Sequence, residues 1–246
     1  DVEPQCLAQC CSLVPAPAVP ESSIQIQEAL TIDSHAQVVR LCTSSLGSES
    51  ELERVCHALA LLTPGTAPHL RVVLLRVTAE NVSEADIPSV LEEQMRSTLA
   101  DLTNRGVVTV CSVSGCVGGT ALRLCLEAHY RIIDPDVTFR CGSEACSRQL
   151  RAILRPEKAS RFEKKGSADA GEAVALGLAA EISENVDERA AQFAHWLVMQ
   201  PAVGIRQVLQ LTFYRETNIR APEEDGSYAA KVRAILLQGD TSIDSI

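Results

Sequence analysis

Two kinds of apolar run alternate along the first 145 residues. Residues 37–43 (QVVRLCT), 70–78 (LRVVLLRVT) and 107–113 (VVTVCSV) are short, nearly continuous and rich in β-branched side chains, the pattern of strands covered on both faces. Residues 24–31 read as another strand, and 130–133 and 137–139 as two shorter ones around Asp134-Pro135. Between them the period lengthens. SESELERVCHALALL opens with Ser and acidic residues, spaces Leu52, Val55, Cys56, Leu59 and Leu62 as one helix face, and stops at Pro64-Gly65. Residues 87–104 carry Leu91, Met95, Leu99 and Leu102 in the same way, and 120–128 predict a third helix. This order predicts an α/β fold with crossover helices. From Gln149 onward the pattern is helical only, over 149–164, 170–176 before Gly177, 186–199, 203–217 and about 228–237.

Residues 1–23 hold four prolines without periodicity and read as a linker or arm. The expected organisation is that arm, an α/β core over 24–148, and a helical docking region over 149–246. Its stripes at Trp196, Leu197, Val208, Leu209 and Leu211 look too apolar for one layer to cover. Trp196, among Phe193, Leu197 and Val198, is core or subunit-contact bulk. With 246 residues, 46% of them hydrophobic, the chain suffices for one sizeable core. An opening Asp1 in place of Met suggests a processed polypeptide or a segment of a longer one.

Charge narrows the partners. A net charge of -10 argues against a nucleic-acid groove or an anionic membrane surface, both of which need clustered Lys and Arg. No apolar run reaches the roughly 18 to 20 residues that span a bilayer. The ten cysteines contain no CxxC pair, so neither a zinc site nor another metal is expected. Most lie among Val, Leu and Ala as free thiols, which fits a reducing compartment; Cys6, Cys10 and Cys11, in the polar arm, are the expected reactive group.

The stretch SVSGCVGGTALRLCLEAHYRI (112–132) runs from a strand through Gly118-Gly119 into a helix. It lacks the lysine of a P-loop, the GxGxxG of a dinucleotide site and the G-x-S-x-G of a nucleophile elbow, so no cofactor is expected. Two readings stay open: a tight strand-helix corner, or backbone N–H donors at a helix N-terminus facing an oxygen anion.

The segment VVTVCSVSGCVGGTALRLCLEAHYRIIDPDVTF (107–139) resembles the core signature of the crotonase (enoyl-CoA hydratase/isomerase) superfamily. Further along, KKGSADAGEAVALGLAAEIS and RAAQFAHWLVMQPAVGIRQVL resemble the family's later motifs, and SEADI (83–87) falls where it has S-x-G-A-D-[IL]. The resemblance covers most of residues 24–246. It implies a crotonase-like spiral of β-β-α turns with a C-terminal helical region, often trimeric.

It also implies an acyl thioester, on coenzyme A or an acyl carrier protein, whose carbonyl oxygen is held by two backbone N–H groups. Here these would be Ala85 and Thr120, on the loop of Gly118 and Gly119. The family's two hydratase carboxylates fall on Arg123 and Ser143, with Glu144 one residue on. The following pocket loop looks shortened between Ser143 and Leu150. Glu144 is the candidate acid and Arg123 the candidate anchor for a carboxylate-bearing acyl group; a helix-surface pair of Arg123 with Glu127 is the alternative. His129 reads as a structural hydrogen-bonder, and Asp86 as the N-cap of the helix from about 87. Two functions are therefore expected to compete: an isomerase, dehydratase or decarboxylase of altered chemistry, and a non-catalytic subunit of a larger assembly.

Overall fold

A computed structural model describes residues 21–25, 36–43, 49–79, 89–142, 144–207 and 209. Its elements are β1 (Glu21–Gln25), β2 (Val38–Thr43), α1 (Glu49–Ala60), β3 (Val72–Ala79), α2 (Ser89–Asn104), β4 (Val108–Val117), α3 (Gly119–Glu127), β5 (Tyr130–Ile133) and β6 (Thr138–Arg140). There follow α4 (Glu144–Ile153), α5 (Pro156–Lys165), β7 (Ser167–Asp169), α6 (Ala170–Leu176), β8 (Glu181–Ile182) and α7 (Val186–Met199).

Strands β1-β2-β3-β4-β5-β8 form a parallel sheet in that order. Within it β3 sends Val73, Leu75 and Val77 to one face and Val72 and Leu74 to the other, and both sets are buried. That is why the run reads as continuously apolar. The first face packs on α1, α2 and α3 through Leu52, Leu59, Met95, Leu99 and Leu122. The second is covered by α7, whose Ala190, Phe193, Ala194, Leu197 and Val198 meet Val38, Val108, Val110 and Ile132. Arg71, just before β3, donates to the carbonyls of Val198 and, at 2.6 Å, of Gln200. A guanidinium there satisfies the last carbonyls of α7 and its negative dipole end.

Strand β4 belongs to two sheets. Val108 to Gly115 pair with β3, whereas Cys116 and Val117 pair with β6, to which β7 adds an antiparallel edge. Gly115, at φ 81, sits where the pairing changes, a left-handed conformation that only glycine adopts without cost. The bend aims the end of β4 at Gly118 and so positions the N-terminus of α3.

Several expectations change. The helix expected over 149–164 is two helices, because Pro156 takes the first position of α5 and its ring and missing N–H do not fit inside a continuous helix. The region from Gln149 is not purely helical: β7 and β8 are three- and two-residue strands that complete the edges of β6 and β5. Within the stripe expected to be exposed, Leu197 and Leu209 are buried on the chain's own sheet, and Trp196 is partly buried, stacked on Phe193 with ring centroids 5.6 Å apart. Strand β1 begins at Glu21, ahead of the expected start at 24. Helix after α7 is seen over 202–207; the rest of 203–217, the helix at 228–237, residues 26–31, Val208, Leu211 and the arm with Cys6, Cys10 and Cys11 lie outside the described residues.

Candidate functional site

Helix α3 brings the candidate groups onto one element. At its N-terminus Gly118 is extended (φ -151, ψ -178) and provides no side-chain cap, and Gly119 follows at φ 53, again in the left-handed region. The first intrahelical bond runs from Leu122 N to Gly118 O at 3.3 Å. The N–H groups of Gly119, Thr120 and Ala121 precede it and have no acceptor within the helix. No acidic residue lies in the first turn, so the positive end of the helix dipole is uncompensated there. Thr120 is 5% exposed. The second expected donor, Ala85, lies outside the described residues, as do Ser83, Asp86 and Ser143.

The other half of α3 carries Arg123 and Glu127, which residues of α2 and α4 contact. Arg123 is half-buried, and burial lowers its pKa against the fields of Cys146 and Glu127. Glu127 accepts from Gln149 Nε2 at 2.6 Å and faces Arg96 Nε at 3.7 Å. Burial still raises its pKa, outweighing the attraction of Arg96 and Arg123. Gln149, from α4, also donates to the Arg123 carbonyl at 3.1 Å; these two bonds fix the orientation of its amide, and they leave its Oε1 buried without a hydrogen-bond partner. Thus Gln149 of α4 bridges the Arg123 main chain and the Glu127 carboxylate.

Glu144 is not drawn into this group. It is the first residue of α4, exposed, and is not among the charges that shift Arg123. A carboxylate there compensates the N-terminus of α4. The two candidate catalytic residues are therefore brought to adjacent helices but into different surroundings.

His129, just beyond α3, is held on both ring nitrogens. Thr109 N donates to Nδ1 at 3.0 Å, so Nδ1 is an acceptor and the proton resides on Nε2, which donates to Thr103 Oγ1 at 3.3 Å. Thr109 Oγ1 adds a contact at 2.7 Å. Burial, aided by Arg131, lowers its pKa to about 4. The residue is a structural hydrogen-bonder and neutral near pH 7.

Sequence reasoning missed Gln149, whose role depends on α4 lying across α3, and the thiols Cys141 and Cys146, whose C-x4-C spacing in RCGSEAC was the available signal. Cys141 Sγ lies 3.5 Å from Ser147 Oγ. Among the described residues no cluster of three or more His, Cys, Asp or Glu could hold a metal, and no helix is long and apolar enough to cross a membrane.

Neither a family model nor a curated protein sequence matches the chain. Solved structures do. An enoyl-CoA hydratase/isomerase family protein from Silicibacter pomeroyi is similar with a TM-score of 0.58 and 15% identity, covering 92% of this chain and 97% of that one. A monofunctional enoyl-CoA isomerase from M. smegmatis gives 0.61 at 17% identity, covering 76% and 95%. A methylmalonyl-CoA decarboxylase gives 0.59 at 16% identity, covering 87% and 89%. With most of the chain superposed on these proteins, and β4 passing through its glycine bend into the N-terminus of α3, the chain has the crotonase fold, that of the enoyl-CoA hydratase/isomerase superfamily.

Proposed function

We propose that this chain binds an acyl thioester, of coenzyme A or of an acyl carrier protein, with the carbonyl oxygen on the backbone N–H of Thr120 and a second donor from Ala85. It does not hydrate enoyl thioesters. The observation that carries this reading is the contrast along α3: N–H groups without an intrahelical acceptor at one end, and a half-buried guanidinium, in the field of Glu127, where hydration needs a carboxylate. A backbone hole stabilises an enolate oxygen whichever side chains surround it. Adding water also needs a paired acid and base, and removing one such partner costs about 10² to 10⁴ in rate. Isomerisation and decarboxylation share the enolate without needing that pair, and the similar structures include proteins named for both.

Titration calorimetry and turnover assays with crotonyl and methylmalonyl thioesters, on coenzyme A and on carrier protein, test this. Binding without hydration is the expected result. Thr120→Pro removes one N–H at a position in the first helical turn, where proline is tolerated, and is expected to abolish binding while the far-ultraviolet circular dichroism is kept; Thr120→Gly is expected to keep binding. Hydration that disappears in Glu144→Gln would overturn the reading.

A second reading, a non-catalytic subunit, is favoured by the bridging of Glu127 and the Arg123 main chain by Gln149 and by the burial of Thr120. Absence of thioester binding in every assay would select it. Assembly as a homotrimer, or docking in a larger complex, is supported by the apolar residues exposed at the end of α7 and in the helical turn after it, Met199 at 57% and Val203 at 69% exposure. Sedimentation velocity giving a monomer at micromolar concentration would count against a trimer.

A further inference from the structure

Positive charge is concentrated in one segment of an acidic chain. Residues 148–165 hold seven Lys and Arg against two Glu, whereas the whole chain has a net charge of -10. Helix α5 carries most of that segment and buries one side through Ala159 and Phe162. The opposite side forms an open groove of about 510 Å³ lined by Glu157, Ser160, Arg161, Lys164 and Lys165. Intervals of three and four residues make these one helix face, a stripe about 12 Å long.

The cations of the segment are not equally engaged. Arg151 is taken by Glu163 at 2.8 Å, and Lys158 donates to the Ala175 carbonyl at 2.7 Å. Within the groove Lys165 pairs with Glu172 of α6, which Arg161 faces at 3.9 Å while its side chain stays 73% exposed. Lys164 is exposed and makes no ion pair with the described residues.

We propose that this groove is a docking surface for an acidic helix of a partner protein, and that the partner is the acyl carrier protein. The identity of the partner rests on the thioester reading above; the surface itself does not. A helix fits the groove better than a small phosphate ligand does. The cations are long, exposed and spread over two turns, so a small anion among them would stay in water, whereas small-ligand sites enclose most of what they bind. Glu157 sets the orientation, because it makes the N-terminal end of the stripe negative and leaves the C-terminal end positive. A helix carries acidic groups most favourably in its first turn and basic ones in its last. An antiparallel partner helix therefore sets its acidic first turn against Arg161, Lys164 and Lys165.

The place in the fold suits a carrier. Helix α5 ends at Gly166 and leads into β7, where Ala168 pairs with Phe139 of β6, which pairs in turn with Val117 of β4, the residue before Gly118. Two strand spacings, about 10 Å, thus separate β7 from the strand end that leads into α3.

Fluorescence anisotropy on the full chain tests this with a labelled apo acyl carrier protein, which lacks the prosthetic arm and so reports docking alone. Saturable binding is expected, weaker at high salt because the contacts are exposed charges. Reversing two cations in the double variant Arg161→Glu, Lys164→Glu is expected to raise Kd about tenfold, and Glu157→Lys to lower it about threefold, opposite effects that a folding defect does not produce. Calorimetry with a coenzyme A thioester on the same variants is expected to follow neither change. Absence of apo carrier binding, or binding that both charge changes leave unaltered, overturns the docking surface. A coenzyme A thioester that loses affinity in the double variant overturns it too, since the groove would then hold nucleotide phosphates. Carrier binding that follows the charges while no thioester binds would support the docking surface and overturn the thioester reading.

Discussion

The two ends of α3 carry different kinds of polar group. At Gly118 to Thr120 the polar groups on offer are backbone N–H groups, placed by two glycine conformations. Three to seven residues beyond Thr120 the groups are side chains, Arg123 and Glu127, and Gln149 bridges the Arg123 carbonyl and the Glu127 carboxylate. Geometry of the main chain survives side-chain replacement, because the fold that makes the corner is held by a core. An acid–base pair does not survive it, because each partner depends on one residue type. On the proposed reading, the anion-binding end rests on backbone geometry and the proton-transfer end on side-chain type.

Breaking the scaffold common to both ends gives the largest expected effect. Leu122 is fully buried midway along α3, and Leu122→Ala is expected to cost about 2 to 5 kcal/mol by urea denaturation. A cost below about 1 kcal/mol would mean that the ends are not held by one core.

A pH titration of stability sharpens the comparison at the far end. His129 is depressed to about 4 in the folded state from an unfolded value near 6.5. Above the unfolded value both states are neutral, and the residue makes no pH-dependent contribution. As pH falls from about 6.5 towards 4 the unfolded chain takes up the proton first, and stability falls by at most about 3 kcal/mol. His129→Gln is expected to flatten that limb of the curve, and an unchanged slope would contradict the assigned burial.

Removing the amide that joins α3 and α4 is expected to do less. Gln149→Leu deletes a hydrogen bond to a partly buried carboxylate, and a loss of about 1 to 3 kcal/mol is expected. Nuclear magnetic resonance should also find the Glu127 pKa moved further up. Glu144→Gln, at the exposed start of α4, is expected to change stability by no more than about 0.5 kcal/mol and to leave thioester binding unchanged. A larger effect on binding would return Glu144 to the site.

Much of this fold was legible because continuous β-branched runs and helical apolar spacing report burial directly. The runs at 72–79 and 108–113 are strands, and the periodic segments at 49–60, 89–104 and 119–127 are helices. Strands β7 and β8 were not legible, since two or three residues carry no period and exist only because β6 and β5 offer unpaired edges. The break before α5 had a local signal, Pro156, that a continuous helical pattern concealed.

Chain order and residue type alone determined the strand-glycine-helix corner, the absence of a carboxylate at Arg123 and the structural part played by His129, because these rest on backbone conformation and side-chain chemistry at single positions. Tertiary structure alone decided that α7 lies over its own sheet, that Gln149 joins the Arg123 main chain to Glu127, and that Cys111 and Cys125 lie side by side, sealed in the core. Those facts depend on which surfaces meet after α4 and α7 fold back on the sheet. Apolar periodicity says that a face must be covered, and packing decides by what.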